Sequence, residues 1–71
     1  MKTYVMNYGR FERMVAATSM TEAAEKLDVT LYHFGRYATA TGNEQDVKVA
    51  MSEPGAIFER MTDSKEWRRK P

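Results

Sequence analysis

The sequence predicts an α+β domain in which a small antiparallel sheet, an N-terminal hairpin plus a C-terminal strand, packs as one layer against three short helices. Three observations predict it. Two-residue alternation runs from Thr3 to Ala17 with Gly9 interrupting it; helix-start signals follow at Ser19, Thr30 and Asn43; and a last short apolar run, Ala56 to Met61, comes after Pro54-Gly55. A chain of 71 residues makes one domain and buries only roughly 60% of the surface its unfolded form exposes. Its stability is therefore marginal, and a homodimer or another partner would add to it. Residues 1–64 read as the compact domain and residues 65–71 as a basic tail.

The first stretch alternates Tyr4, Met6 and Tyr8 against Thr3, Val5 and Asn7. The second sets Phe11, Arg13, Val15 and Ala17 against Glu12, Met14 and Ala16. With the turn signal at Gly9 the two suggest a β-hairpin, though a single longer bent strand fits nearly as well, and neither face is cleanly apolar. Ser19 with Glu22 three positions on forms a capping box, so a helix starts there and carries Met20, Ala23, Ala24 and Leu27 on one face. It stops at Asp28, whose short polar side chain tolerates a left-handed backbone. Thr30 caps a second helix in which Leu31, Phe34 and Ala38 share a face, so that Ala24, Leu27, Val29 and Phe34 bury one another across a three-residue connection. Gly42 suits the left-handed end of that helix. Asn43 caps a third, with Glu44 and Asp46 favoured in its first turn by the helix dipole, and Val47, Ala50 and Met51 on one side. Glu53-Pro54-Gly55 ends it near Ser52, and Ala56 to Met61 follows as a strand.

Composition excludes several classes of function. The chain has no cysteine, so disulfides, thiolate metal sites and cysteine nucleophiles are absent. No apolar run approaches the roughly 20 residues that span a bilayer, and Met1-Lys2 leads into strand-like sequence rather than a signal-peptide core; a cytoplasmic protein without membrane contact is expected. His33 is the only histidine and lacks companions at ligand spacing, so no metal is expected. No nucleophile motif, phosphate-cradling glycine loop or paired acids occur, and the expectation is a non-enzyme without cofactors. The net charge is +1 but uneven: residues 1–19 and the last seven are basic, whereas residues 20–39 and 40–64 are acidic.

The order Ser19-x-x-Glu22-Ala23-Ala24-x-x-Leu27-x-Val29-Thr30, followed by Phe34 and Arg36-Tyr37, resembles the helix-turn-helix of excisionase-type and mercury-resistance-regulator-type DNA-binding proteins. The match covers about a quarter of the chain, residues 19–37. In that family the residue matched by Ala24 lets the helices approach, and those matched by Val29 and Phe34 plug the gap between them. The family usually has glycine where this chain has Asp28. The resemblance implies a recognition helix with Thr30, Tyr32, Arg36 and Thr39 directed at a groove, Arg36 towards guanine or phosphate and Thr30 and Tyr32 towards the backbone or a thymine methyl. Because this helical pair is mildly acidic, phosphate contacts fall to Arg10 and Arg13 in the hairpin and to Arg68 and Arg69 in the tail. A bland reading competes with equal weight, in which Tyr32 is a half-covered surface aromatic and Arg36 a solvated one.

A looser likeness spans nearly the whole chain. Ala16-Ala17-Thr18-Ser19, Glu22-Ala23-Ala24, Leu31-Tyr32-His33, Thr41-Gly42-Asn43, Pro54-Gly55 and Glu66-Trp67 look like the succession in small accessory proteins of tailed bacteriophages. Such proteins often bind and inhibit a host enzyme or defence complex, and some regulate transcription. Two functions are thus expected. One is a phage-type DNA-binding regulator acting on double-stranded DNA, dimeric where it reads two half-sites. The other is an inhibitor of a bacterial protein, binding through Tyr4, Tyr8, Leu31, Tyr32 and Trp67, since amphipathic rings favour adaptable interfaces. Most of the methionines read as core filler, and Trp67 either grips a partner beside its cations or covers a sheet edge.

Overall fold

The computed structural model describes residues 1–70. The hairpin forms as read: β1 (Lys2–Asn7) pairs antiparallel with β2 (Phe11–Ala17). Gly9 has φ +97°, the positive value that the first central residue of a II′ turn requires and that glycine adopts without steric cost. Tyr8 N–H donates to Phe11 C=O at 2.9 Å, and Gly9 N–H donates to Asn7 Oδ1 at 2.6 Å. The chain then passes through α1 (Met20–Lys26), α2 (Leu31–Tyr37), β3 (Ala38–Ala40), α3 (Glu44–Ser52), β4 (Phe58–Met61) and β5 (Arg68–Arg69). The five strands make one antiparallel sheet in the order β3-β1-β2-β4-β5.

The helices do not form one layer. The register pairs Tyr4 with Val15 and Lys2 with Ala17, so Tyr4, Met6, Val15 and Ala17 share a face of the sheet, and they bury against Ala23, Ala24, Leu27 and Phe34 of the α1–α2 pair. Met14 and Ala16 point the other way, where with Phe58 they bury against Ala50 of α3. Met14, Val15, Ala16 and Ala17 are all fully buried, because a strand covered on both sides has no solvent face. This is why neither face of the hairpin reads as the polar one in sequence.

Three further expectations are corrected. The second helix ends at Tyr37 rather than at Gly42: Ala38 N–H closes the helix on Phe34 C=O, and Ala38 to Ala40 pair with Met6 to Tyr4. The ladder to β1 ends the helix, and Gly42 is not among the residues with positive φ. The last long strand starts at Phe58 rather than Ala56. The segment read as a basic tail holds β5, which pairs with β4 through Phe58–Arg69 and Glu59–Arg68. Trp67 fastens it on the α3 side, where Nε1–H donates to Asp46 Oδ1 at 2.9 Å and the indole lies 4.2 Å below the Arg60 guanidinium.

Candidate nucleic-acid interface

The helical pair is set by local chemistry. Ser19 Oγ accepts the Glu22 N–H at 3.1 Å, while the Glu22 carboxylate accepts from the Thr18 hydroxyl at 2.6 Å, so the returning half of the box goes to a side chain. Thr30 Oγ1 accepts the His33 N–H at 3.1 Å and starts α2. Between the helices Asp28 takes φ +58°, a left-handed turn, and Val29 N–H donates to Ala24 C=O at 3.0 Å. Phe34 is fully buried and meets Tyr4 edge to face, with centroids 5.5 Å apart. Since Phe34 faces the core, helical geometry puts Tyr32 and Arg36 outermost on α2. Leu31, Tyr32 and Tyr37 are 51%, 67% and 49% exposed.

The C-terminal end of α2 adjoins the hairpin turn. His33 and Tyr37 line a cleft of about 460 Å³ with Asn7, Tyr8 and Gly9, and the Arg36 guanidinium lies 5.9 Å from the centre of the Tyr37 ring. Arg10 sits at the tip of that turn, exposed. Beyond the helices the same sheet face continues uncovered over β4 and β5. Cross-strand pairing puts Phe11 beside Met61, and Arg13 beside Glu59 beside Arg68, all on the α1–α2 side. Tyr8 and Phe11 stack nearly parallel, 4.9 Å apart at 8°, and the Arg13 guanidinium stands 5.1 and 5.2 Å from their centres. Arg13 Nε donates to Glu59 Oε2 at 3.1 Å, and Lys70 Nζ lies 3.6 Å from the same oxygen.

The structure therefore divides the residues expected from sequence. Arg10, Arg13, Tyr32, Arg36 and Arg68 lie on or border one side of the molecule. Thr39 does not join them, because it is the middle residue of β3 and pairs with Val5 on the α3 side. Arg69 also faces α3, where it is ion-paired with Glu53, and the Thr30 hydroxyl is occupied as a cap. Of the residues expected to bind protein, Leu31 and Tyr32 are exposed, whereas Tyr4 is buried in the core and Trp67 is bonded to Asp46 on the far side. Tyr8 is half-buried and its hydroxyl is enclosed without a partner among the described residues. Sequence reading missed Phe11, Met61 and Lys70 on this surface. Strand parity was the available signal for Phe11, but Met61 and Lys70 are placed by the β2–β4–β5 register, which the chain order does not disclose.

Charges on the two sides differ in kind. On the α3 side Arg60 is held by Glu12 at 3.1 Å and Asp46 at 3.8 Å, and Arg69 by Glu53. On the other side Arg10, Arg36 and Arg68 make no ion pair among the described residues. Among the described residues no group of His, Asp and Glu could hold a metal ion, and no helix is long and apolar enough to cross a membrane. Fold and surface thus define the class: a small α+β protein presenting a helix-turn-helix-like pair beside an open, cation-rich half-sheet. No protein-family profile matches the chain, and neither a curated protein nor a solved structure matches it.

Proposed function

We propose that this protein is a small, non-enzymatic, phage-type DNA-binding regulator that presents the outward face of α2 to duplex DNA. The observation that carries the reading is the common placement of Tyr32 and Arg36 on α2 with the hairpin-tip Arg10 beside the C-terminal end of that helix. Tyr32 and Arg36 reach towards base edges, and Arg10 and Arg36 neutralise phosphates on the flank. Thr39 and Arg69 have no part in this contact, and Thr30 serves it only by holding the start of α2. The test is a titration of random-sequence duplex DNA across salt concentrations, with Arg36→Ala and Tyr32→Ala variants alongside. Binding that weakens steeply with salt, with a log–log slope shallower by about 0.9 in Arg36→Ala, supports the reading. Absence of binding at low salt overturns it.

One observation favours a second reading, inhibition of a bacterial host protein. Leu31, Tyr32 and Tyr37 form an exposed apolar and aromatic surface on α2, and Glu25 and Asp28 flank the turn that leads into it. Carboxylates there repel phosphate, whereas a basic protein surface accepts them.

A further inference from the structure

We infer that β3 is a self-association edge, through which two copies of this protein join their sheets antiparallel about a two-fold axis at Thr39. The two edges of the sheet differ. β5 is two residues long, carries Arg68 and Arg69 and runs on into Lys70, and cations on a short strand guard against edge pairing. β3 has no such guard. It reads Ala38-Thr39-Ala40, with Thr39 and Ala40 exposed, and neither a charge nor a proline occurs from Tyr37 to Asn43. Among the described residues no strand pairs with its outer side.

The parity of the ladder defines what that outer side offers. Thr41 N–H donates to Thr3 C=O at 2.9 Å and Thr39 stands opposite Val5, so residues 39 and 41 turn their backbone groups to β1, and Ala38 and Ala40 turn theirs outward. Ala38 N–H already closes α2 on Phe34 C=O. One donor remains, Ala40 N–H, with the carbonyls of Ala38 and Ala40. A two-fold axis at Thr39 sets Ala40 of each copy against Ala38 of the other, and each free N–H then meets an unoccupied C=O. Side chains agree with that register. Thr39 faces its own equivalent in a close, non-hydrogen-bonded pair, a favourable pairing in sheets, while the alanines on the opposite side are too small to clash. Nothing charged on the edge selects a foreign strand, whereas a second copy matches donor to acceptor on both halves and brings no like charges opposite each other. Beside Ala40 a groove of about 340 Å³ lined by Met1, Val47 and Met51 adds apolar surface next to the ladder. Three residues make a ladder only about 10 Å long, at the weak end of interface sizes, so the dimer dissociates on dilution.

The test is sedimentation equilibrium of this chain, without nucleic acid, from roughly 5 to 500 µM, the range in which a small interface associates. The mass is expected to rise with concentration from 8.2 kDa towards twice that and to stop there, because a two-fold contact closes. Ala40→Pro removes the outward N–H and leaves the bonds to β1, and Thr39→Lys sets two ammonium groups opposite each other. Both are expected to weaken dimerisation about tenfold or more, two hydrogen bonds' worth, while keeping the far-UV dichroism of the parent. Amide exchange in the unsubstituted chain reads the same contact: Ala40 N–H is protected at high concentration and exchanges freely at low, whereas Thr39 N–H is protected at both. The chain has no cysteine, so Thr39→Cys adds a single thiol. Its pair, about 4.5 Å apart at Cα, lies within disulfide reach, and it is expected to cross-link in a glutathione buffer at concentrations where Gln45→Cys, exposed on α3, does not. A chain that stays monomeric throughout overturns the inference, as does a dimer that both ladder variants leave intact or an Ala40 exchange rate indifferent to concentration. Growth beyond two copies also overturns it, because the contact is then head-to-tail.

Discussion

Trp67 offers the sharpest test of how the C-terminal segment is held. Its indole N–H donates to Asp46, its ring lies beneath Arg60, and it packs half-buried beside Phe58 and Ala50. A hydrogen bond to a charged group contributes about 1.5–3 kcal/mol. Trp67→Phe removes that bond and keeps most of the ring; Arg60 still lies 3.8 Å from the Asp46 carboxylate, so the loss falls at the low end, about 1.5 kcal/mol. Trp67→Ala also forfeits the cation–π contact, about 1 kcal/mol, and roughly half the apolar burial of an indole, about 2 kcal/mol at 25 cal/mol per Å². Domains of this length have about 5 kcal/mol in all. The alanine variant is therefore expected to lie near its unfolding midpoint in water, and the phenylalanine variant to unfold cooperatively at lower urea. Far-UV circular dichroism follows both. In the unsubstituted protein Trp67 is the sole tryptophan, so its fluorescence reports on β5 and should change at the same urea concentration as the dichroism. A fluorescence transition that precedes the dichroism, or a phenylalanine variant within about 0.3 kcal/mol of the parent, would refute the argument, for the segment would then be an independent tail.

Two further outcomes follow from the α1–α2 pair. Phe34→Ala empties a fully buried site edge-on to Tyr4 and costs about 3–5 kcal/mol, so the Tm should fall by more than about 10 °C; a fall of only a few degrees would contradict the packing described. At Asp28, whose φ of +58° is left-handed, Ala is expected to destabilise by about 1 kcal/mol and Gly to match or exceed the parent, because only Gly escapes the Cβ penalty. The order of urea midpoints checks this, and an alanine variant as stable as the glycine one speaks against a strained turn.

Local signals were legible in the sequence wherever a side chain bonds its own neighbourhood. Ser19, Thr30 and Asn43 each accept an N–H three residues on, and Gly9 turns the hairpin, so these boundaries are local matters. Non-local pairings were not legible. Nothing near Tyr37 announces a helix end; β1 imposes it by bonding Ala38 to Ala40 in place of another helical turn. Likewise Arg68 and Arg69 have no strand signature, and what orders them is β4 and a tryptophan–aspartate bond across 21 residues. The continuous run Met14-Val15-Ala16-Ala17 did hold the clue to helices on both faces, since a half-solvated strand needs a polar residue at every second position. The same division holds for the candidate site. Tyr32 and Arg36 follow from helical periodicity, while the union of Arg13 with Glu59, Arg68 and Lys70 depends on a register that only the folded sheet reveals.

That register also decides which charges of a protein with a net charge of +1 are paired. On the α3 side every sheet cation is matched: Arg60 sits between Glu12 and Asp46, and Arg69 meets Glu53. These charges serve attachment, since each pair ties the C-terminal strands to β2 or to the helix that covers them. Charges already paired in this way exert little field at a distance, and what an approaching ligand meets is the remainder. On the α1–α2 side two cations share the single carboxylate of Glu59, and Arg10, Arg36 and Arg68 have none. The acids of residues 40–64 fold mostly onto the opposite face, whereas Glu22, Glu25 and Asp28 stay with the helical pair. Trp67 keeps those cations in place: it holds β5 in the sheet, and β5 carries Arg68 and leads to Lys70. A Trp67→Phe variant loses stability while keeping those cations in register.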